Sequence, residues 1–552
     1  MVVKNWFKDV LLICVGLAML VSIAAYLLTT DRVKQPESFG GSASVENVSN
    51  QVDSAIDVEL DSIGLVKAGR ADSLKIARRL SLALCGSLPS LEELREIMKF
   101  DEDQQVDWYV SHLLEDQRSA DYLAERFARV FVGVDGGPFL VYRRERFVDW
   151  LAEQLAANRP YHRLVQDMLA SDGTWTSNPA VNFYTANIIP DVDEDTKPDP
   201  IKLASRTSRA FLGMRIDCLQ CHDDFIGTVN LGDPDDPGGG TQLDFHQLAS
   251  FFSQVENSVV GIRDKLDSST YNYRLLDADK EAPIKPVVPF FDELVDENSS
   301  KLRSRLAEWI THKKNRPFAR AAVNRVWAMM FGRGLINPVD HITLEGPFPA
   351  ALEILADDFI ENDYDLHRLI RLIAQTDVFQ RDSATDFEVT DANRDSWAAF
   401  PMTRLRPEQV AGAIAQSTSL TTIDLNSHIV QRLAQFGLKN DFVDRFGDSG
   451  EEEFSERNET ISQRLLMLNG DVIRERLSNG LSSTRRISGL SPDMTTALET
   501  VYLVTLCREP SEQELAYFEK QFEPLNRFRE KNRGIEDLYW ALMNSTEFRW
   551  NH

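Results

Sequence analysis

Three residues of this chain stand at a spacing that performs a specific chemistry. Cys218, Cys221 and His222 form a C-x-x-C-H motif in a sequence with only five cysteines and nine histidines. At this spacing two thiols can add to the two vinyl groups of a haem, and the adjacent histidine can bind the iron from one side. The motif therefore predicts a covalent c-type haem, with Cys218 and Cys221 as attachment points and His222 as an iron ligand.

An iron held by His222 has a second axial position to fill. Met214 lies too close to the motif in sequence to reach the opposite face easily. His246, on a helix predicted over residues 245–252, is the better candidate. We therefore expect His222 and His246 to be the two metal ligands.

Two other interpretations of the motif stay open. In the first, Cys218, Cys221 and His222 bind zinc or iron in a small tetrahedral site, completed by His246 or by either aspartate directly after His222. In the second, the two cysteines form a local disulfide in an oxidising compartment and His222 caps a helix end.

The N-terminus carries an almost unbroken apolar run over residues 10–28, preceded by Lys4 and Lys8. A helix of that length reaches about 28 Å, close to the ~30 Å of a bilayer core. Positive charges before the run favour an N-terminus in the cytoplasm. We expect contact with the inner membrane through residues 10–28 and a body in the periplasm or at the cell surface. A cleaved signal peptide, cut near residues 22–24, is the alternative.

The composition restricts the class of the body. The net charge of −26 argues against nucleic acid as a partner, because phosphates require a positive surface. The few cysteines exclude a disulfide-rich scaffold. A chain of 552 residues is too long for one core and should divide into two or three domains.

Sequence signals for helix starts and ends are frequent, and no series of segments with the alternating pattern of β-strands appears. The predicted fold is therefore mainly α. It comprises a single N-terminal transmembrane helix and two packed all-helical domains with long acidic loops. The predicted segments are a membrane anchor or signal peptide at 1–34, a flexible linker at 35–70, a cytochrome-like domain at 71–278, a proline-rich connector at 279–299 and a helical C-terminal domain at 300–552.

Local signals support this organisation. Ser90 with Glu93, and Ser511 with Glu514, form capping boxes at predicted helix starts. Two acidic or glycine-rich loops, 190–200 and 231–241, flank the C-x-x-C-H motif, and both are long enough to be functional. A polar and aromatic cluster in the C-terminal half is expected to hold that domain together through buried hydrogen bonds; its members are Asn324, Arg325, Trp327 and Arg333.

Further motifs carry a resemblance to a known family. In the N-terminal half they are Arg78-Arg79-Leu80, Leu88-Pro89-Ser90, residues 143–151, residues 160–165 and Arg206-Thr-Ser-Arg-Ala-Phe-Leu-Gly213, which leads into the C-x-x-C-H. In the C-terminal half they are residues 315–320, 323–327, 331–335 and 542–548. Residues 77–257 resemble the exported cytochrome-like domain of unknown function of planctomycete-type bacteria. The chain from about 303 onward resembles the helical domain of unknown function that follows it.

One position departs from the family pattern. The family continues the motif as Cys-His-Asp-His-Pro-Phe-Asp, whereas this chain has Asp224 in place of the second histidine. If that histidine is an essential ligand in relatives, this chain has lost or altered the site.

We expect a membrane-anchored c-type haem module that passes electrons to or from a redox partner protein. One alternative is a metal-dependent enzyme acting on extracellular polymers through an open coordination position. The other is a non-catalytic scaffold that binds a surface polymer or an exported protein, with a structural C-x-x-C disulfide.

Overall fold

The computed structural model describes most of the chain from residue 42 onward. The described residues are 42–134, 142–188, 197–225, 227–231, 239–266, 270–296, 299–424, 427, 437, 442–447, 450, 454, 460–469, 483–525 and 527–552. The predicted membrane segment at residues 10–28 and most of the two predicted loops at 190–200 and 231–241 lie outside these ranges.

The described chain is mainly helical, as predicted. The helices of the first half are α1 (Ser42–Ser62), α2 (Ser73–Cys85), α3 (Leu91–Ile97), α4 (Glu102–Glu115), α5 (Gln117–Val132), α6 (Arg144–Ala156), α7 (Tyr161–Ala170), α8 (Asn182–Thr185), α9 (Pro200–Thr207) and α10 (Gln242–Ser250). Those of the second half are α11 (Leu302–Ile310), α12 (Arg316–Phe331), α13 (Ala350–Glu361), α14 (Leu366–Gln375), α15 (Asp377–Gln380), α16 (Asp391–Asp395), α17 (Pro407–Ser417), α18 (Ile461–Asn469), α19 (Ser483–Leu490), α20 (Met494–Leu506), α21 (Glu512–Phe522), α22 (Phe528–Met543) and α23 (Thr546–Arg549).

Three small antiparallel sheets of two strands each accompany the helices. They are β1 (Val255–Ser258) with β2 (Gly261–Asp264), β3 (Tyr271–Tyr273) with β4 (Ala282–Ile284), and β5 (Thr403–Arg404) with β6 (Trp550–Asn551). In register, Val255 lies opposite Asp264, Tyr271 opposite Ile284, and Thr403 opposite Asn551. The last sheet joins strands almost 150 residues apart in sequence, so it ties the end of the described chain to its middle.

The predicted fold class needs correction. Within the described ranges, every helix is too short or too polar to cross a membrane bilayer. The body also contains the three strand pairs and is therefore not all-helical. Residues 41–552 form one compact unit, and the predicted boundary at 279–299 within it stays a prediction. The proline-rich stretch at 279–299 contributes β4 and the buried side chains of Val288 and Phe290, because its prolines interrupt helix without preventing packing.

Helix α1 occupies most of the stretch for which a flexible linker is expected. Val45, Val52, Ile56 and Leu60 are buried, and this spacing places them on one helical face. This apolar stripe is hard to recognise in the sequence. It consists largely of β-branched residues that stand among serines and aspartates, and all of these residue types have modest helix propensity. Packing against α13 and α14 supplies the stability that the local sequence lacks.

Two buried arginines of α2 connect the beginning of the body to its end. Arg78 donates to the carbonyl oxygen of Phe548 at 2.9 Å, and Arg79 donates to that of His552 at 2.8 Å. Arg79 also donates to the carbonyls of Phe379 and Arg381, at 2.9 and 2.8 Å. Burial lowers the pKa of Arg79 to about 9. These bonds satisfy main-chain oxygens that would otherwise be buried without partners.

The capping predictions are confirmed. Ser90 and Glu93 form a reciprocal capping box at the start of α3, and Ser511 and Glu514 form one at the start of α21. Each satisfies two N–H groups that a helix start leaves free.

Candidate functional site

The C-x-x-C-H motif is delivered by a helix that changes its winding. Helix α9 is α-helical to Thr207 and continues as one π-helical turn over Ser208–Leu212. Gly213 then ends it with φ +66°, and a Cβ atom there would lie 3.0 Å from the Ile342 side chain. Gly213 thus provides both the left-handed turn and the close packing. A short 3₁₀ turn, Asp217–Gln220, follows and carries the first cysteine.

Leu219, between the two cysteines, anchors the motif. Its side chain is fully buried, whereas Cys218, Cys221 and His222 are exposed. Gly240 packs against it so closely that a Cβ at that position would lie 2.7 Å from the Leu219 side chain. The motif therefore lies at the surface, with one apolar residue fixing it from behind.

His222 is oriented by a hydrogen bond to its own loop. Its Nδ1 lies 2.7 Å from the carbonyl oxygen of Asp223. A carbonyl only accepts, so Nδ1 carries the proton and donates, which leaves the lone pair of Nε2 available. Within the described part of the chain, Nε2 has no hydrogen-bond partner. A metal-bound histidine typically has this arrangement, with the other ring nitrogen donating to a carbonyl.

His246, the predicted second ligand, lies beside the motif but is fully buried on α10. Its Nε2 is 3.1 Å from the carbonyl oxygen of Gln220, and its Nδ1 is 2.8 Å from the hydroxyl of Tyr271. Its ring also stacks on that of Tyr273 at 3.5 Å between centroids. Burial lowers the pKa of His246, against the smaller opposing effect of the Gln220 bond, so the ring is neutral at pH 7. Iron binding by His246 stays a prediction, and it requires one of these bonds to break.

Gln242, at the start of α10, was not singled out from the sequence. Its side-chain amide donates to the Gln220 carbonyl at 3.1 Å, and its main-chain N–H donates to Asp223 Oδ1 at 2.7 Å. Its Oε1 accepts from the N–H of Leu276 at 2.7 Å. The Gln220 carbonyl thus receives two bonds from α10, which fixes the loop between the cysteines. Only the tertiary fold brings these residues together, so no sequence signal could have identified Gln242.

Asp224, which replaces the family's second histidine, closes the next loop. The side chain is largely buried, and its Oδ2 accepts from the N–H of Val229 at 2.5 Å and the hydroxyl of Thr228 at 3.1 Å. Its main-chain N–H donates to the carbonyl of Gly240 at 2.9 Å. These contacts show that Asp224 holds the loop after the motif in shape. Because its carboxylate is engaged in them, it is not free to bind a metal ion.

The thiols of the motif have an acidic surrounding. Both are free cysteines in the structure. Partial burial, and then the nearby Asp224 carboxylate, raise the pKa of the Cys218 thiol. A raised pKa keeps the thiol protonated at pH 7, which opposes both nucleophilic attack and metal binding through thiolate.

A second group of candidate ligands, Glu93, His112 and Asp116, lies far from the motif in sequence. Arg118 donates to Glu93 at 2.5 Å and to Asp116 at 2.7 Å. Although burial acts in the opposite direction, Arg118 contributes to lowering the pKa of Glu93 to about 2. The arginine already supplies the positive charge that a metal ion would bring, so this group is an ion-pair network around the buried Glu93.

Of the polar cluster predicted in the second half, Asn324 forms the expected buried hydrogen bonds, whereas the indole N–H of Trp327 is buried without a partner in the described chain and the bonds of Arg333 are exposed. Asn324 is fully buried; its amide donates to the carbonyls of Ile336 and Val339, and its Oδ1 accepts from the N–H of Ile336. Arg333 lies over the ring of Trp397. Asn324 therefore holds the glycine turn after α12 through hydrogen bonds.

The residues of the motif fit a covalently attached haem. Two free thiols at the required spacing are exposed, and the adjacent histidine presents an open Nε2 with Nδ1 fixed. They fit a four-ligand tetrahedral site less well, because Asp224 and His246 are engaged in other bonds.

Comparison with known proteins finds two family models. Residues 51–257 match the PSCyt2 model, described as a protein of unknown function (DUF1549), and residues 302–435 match the PSD1 model, described as a protein of unknown function (DUF1553). No curated protein and no solved structure matches the chain. The chain therefore carries two successive domains of unknown function, as the resemblance implied, and the motif lies in the first.

Proposed function

We propose that this chain, with its DUF1549 and DUF1553 domains, carries one covalent c-type haem on Cys218, Cys221 and His222 and exchanges electrons with a partner protein. The observation that carries the proposal is the state of His222, whose Nδ1 is fixed by the Asp223 carbonyl while its Nε2 is open beside two exposed thiols. A bound haem c would supply one-electron transfer.

The surface position of the motif supports exchange with a partner. Cys218, Cys221 and His222 are exposed, so another protein can reach them. Phe225 is 82% exposed, with its ring centroid 6.4 Å from that of His222. It offers an apolar face at the motif that a macrocycle would cover.

The fixed backbone of the motif also supports the proposal. The buried Leu219 and the two bonds to the Gln220 carbonyl hold the loop in one shape. A loop held in one shape presents its thiols and imidazole with little ordering cost. In this role His246 and Gln242 are positioning residues that act on the ligands through the backbone.

We further propose that the body works outside the cytoplasm. Lys4 and Lys8 before the apolar run at 10–28 support translocation. An alkaline-phosphatase fusion after residue 70 should be active in cells. A fusion that is inactive there, with a cytoplasmic reporter active at the same point, would contradict this location and the haem with it.

The haem itself is tested by expression in cells competent in c-type maturation. The purified protein should show a Soret band, and the haem should stay with the chain in a denaturing gel, because thioether bonds survive denaturation. Replacing Cys218 and Cys221 with alanine should abolish the band on the gel. Cys85→Ala is the matched control and should keep it. His222→Ala should change the iron's ligand field.

The same preparation separates the alternatives. A colourless protein with stoichiometric zinc or non-haem iron would favour a metal-dependent enzyme. A colourless, metal-free protein with Cys218 and Cys221 joined in a disulfide would favour the scaffold. Either result would end the electron-transfer proposal.

A further inference from the structure

A polar cleft of about 540 Å³ lies on the body, away from the C-x-x-C-H motif. Helices α6, α7 and α11 line it, so its walls come from both segments that match family models. Its volume falls within the roughly 300–1,000 Å³ of small-molecule sites, which form preferentially where domains meet.

Two of the four charged side chains that line the cleft, Asp167 and Asp172, are already neutralised by cations. Asp167 forms an ion pair with Arg159, and Asp172 accepts hydrogen bonds from Lys301 at 2.5 Å and Arg303 at 2.6 Å. Paired charges of this kind exert a weak field on a ligand, and the other two charged side chains, Arg163 and Glu308, are opposite in sign. The lining therefore does not select a strongly charged molecule.

Other polar groups at the cleft are available. Trp150 of α6, and Ser304 and Glu308 of α11, line it. Within the described part of the chain, the indole N–H, the hydroxyl and the carboxylate of these residues have no hydrogen-bond partner. Ser304 and Glu308 are four residues apart and so share one face of α11. The cleft thus offers the aromatic ring and N–H donor of Trp150, the hydroxyl of Ser304, which can donate or accept, and the carboxylate of Glu308, which accepts.

We propose that this cleft binds a neutral oligosaccharide. A sugar ring has an apolar C–H face that packs on an aromatic side chain, here that of Trp150, and hydroxyls that both donate and accept hydrogen bonds. The carboxylate of Glu308 can accept hydrogen bonds from two sugar hydroxyls, and the hydroxyl of Ser304 can donate a hydrogen bond or accept one. A divalent cation would require several unpaired carboxylates, whereas Glu308 is the one lining carboxylate in the described chain without a cationic partner.

The test uses the full chain and isothermal titration calorimetry with four neutral trisaccharides: cellotriose, xylotriose, mannotriose and maltotriose. At least one should bind saturably. Glu308→Gln and Trp150→Leu should each weaken that binding about tenfold or more, equivalent to ~1.4 kcal/mol. Leucine at 150 keeps an apolar contact for Phe147, which packs on Trp150 at 5.7 Å. Glu361→Gln, an exposed carboxamide substitution on α13, is the matched control and should bind as the parent does.

Three outcomes would overturn the proposal. The first is no saturable binding of any of the four trisaccharides at about 10 mM, well above a millimolar Kd. The second is binding that neither Glu308→Gln nor Trp150→Leu weakens, in variants whose circular dichroism matches the parent. The third is tighter binding of trigalacturonate than of every neutral trisaccharide, which would contradict the neutral charge of the ligand. The haem proposal is unaffected by each result.

Discussion

The Nε2 of His246 donates a hydrogen bond to the carbonyl oxygen of Gln220, 3.1 Å away, and so ties a buried helix to the loop between the two cysteines. The same carbonyl accepts from the side chain of Gln242. The position of the thiols and of His222 thus depends on groups that are more than twenty residues further along the chain.

Replacing His246 should loosen the motif. His246→Phe keeps a ring to stack on Tyr273 but removes both hydrogen bonds and leaves the Tyr271 hydroxyl without its partner. We expect a loss of about 1–3 kcal/mol in the free energy of unfolding and faster amide hydrogen exchange in peptides that cover residues 217–224. His312→Phe, far along the chain, is the control. Unchanged exchange in 217–224 would show that His246 does not position the loop.

The loaded protein distinguishes this role from iron binding. If His246 only positions the loop, His246→Gln, which retains a donor for the Gln220 carbonyl, should leave the absorption spectrum of the haem close to that of the parent. A change from a six-coordinate to a five-coordinate spectrum would instead establish His246 as the second axial ligand.

Restoring the family's histidine at position 224 should cost stability. In Asp224→His the N–H of Val229 loses its acceptor inside a largely buried loop, so we expect a loss of about 1–3 kcal/mol in urea unfolding. Asp224→Asn retains an acceptor oxygen and should lose less. A histidine variant as stable as the parent would show that the loop does not depend on this carboxylate.

Asp53 of α1 should make stability depend on pH. Burial, and to a lesser extent the Asp377 carboxylate, raise its pKa to about 6, against the lowering effect of the N–H groups of Asp377 and Val378. The folded state therefore binds more protons than the unfolded state between the unfolded pKa of about 3.8 and about 6. The stability that Asp53 contributes is fully present below that window and is lost as the pH rises through it.

Urea unfolding at a series of pH values from 4 to 7 tests this titration. The parent should lose more stability over the window than Asp53→Asn, which cannot titrate. Asp386→Asn, in an exposed loop, is the control and should follow the parent. Equal slopes for the parent and Asp53→Asn would contradict the raised pKa.

Cutting the chain at 279–299 should not separate its two parts. Arg303, 1% exposed as a side chain, donates to Asp172 at 2.6 Å, to Asp264 at 2.7 Å and to the carbonyl of Ser171 at 2.7 Å. After limited proteolysis the fragments of about 220 and 260 residues expected for the predicted boundary should elute together in size-exclusion chromatography and separate only in denaturant. Arg303→Met should weaken this association, because it removes these hydrogen bonds across the boundary and leaves Asp172 and Asp264 with Lys301 as their remaining cation. Fragments that elute apart without denaturant would instead establish two independent domains.

Local sequence signals correctly predicted those features that depend only on residues close together in the chain, such as helix starts. The capping boxes at Ser90 and Ser511 need only residues three positions apart, and both are present. Helix α1 was missed because its stability comes from contacts with partners such as Leu372, whose carbonyl accepts from the Ser49 hydroxyl over 323 positions. The motif residues could be named from spacing alone, whereas the roles of His246 and Asp224 depend on Tyr271 and Val229, which only the fold brings near.

The two buried arginines of α2 bear on the order in which parts of this protein can fold. Arg78 and Arg79 each obtain a carbonyl partner from residues 548–552, about 470 positions later in the chain, and Arg79 obtains two more from residues 379 and 381. Until those residues have emerged, two guanidinium groups destined for the interior lack their final bonds, and burying them would carry the full cost of desolvation. Burying these two side chains before then is therefore unfavourable. We expect the part of the core around α2 to close only when residues 548–552 are present, which leaves its apolar surface open to aggregation until then.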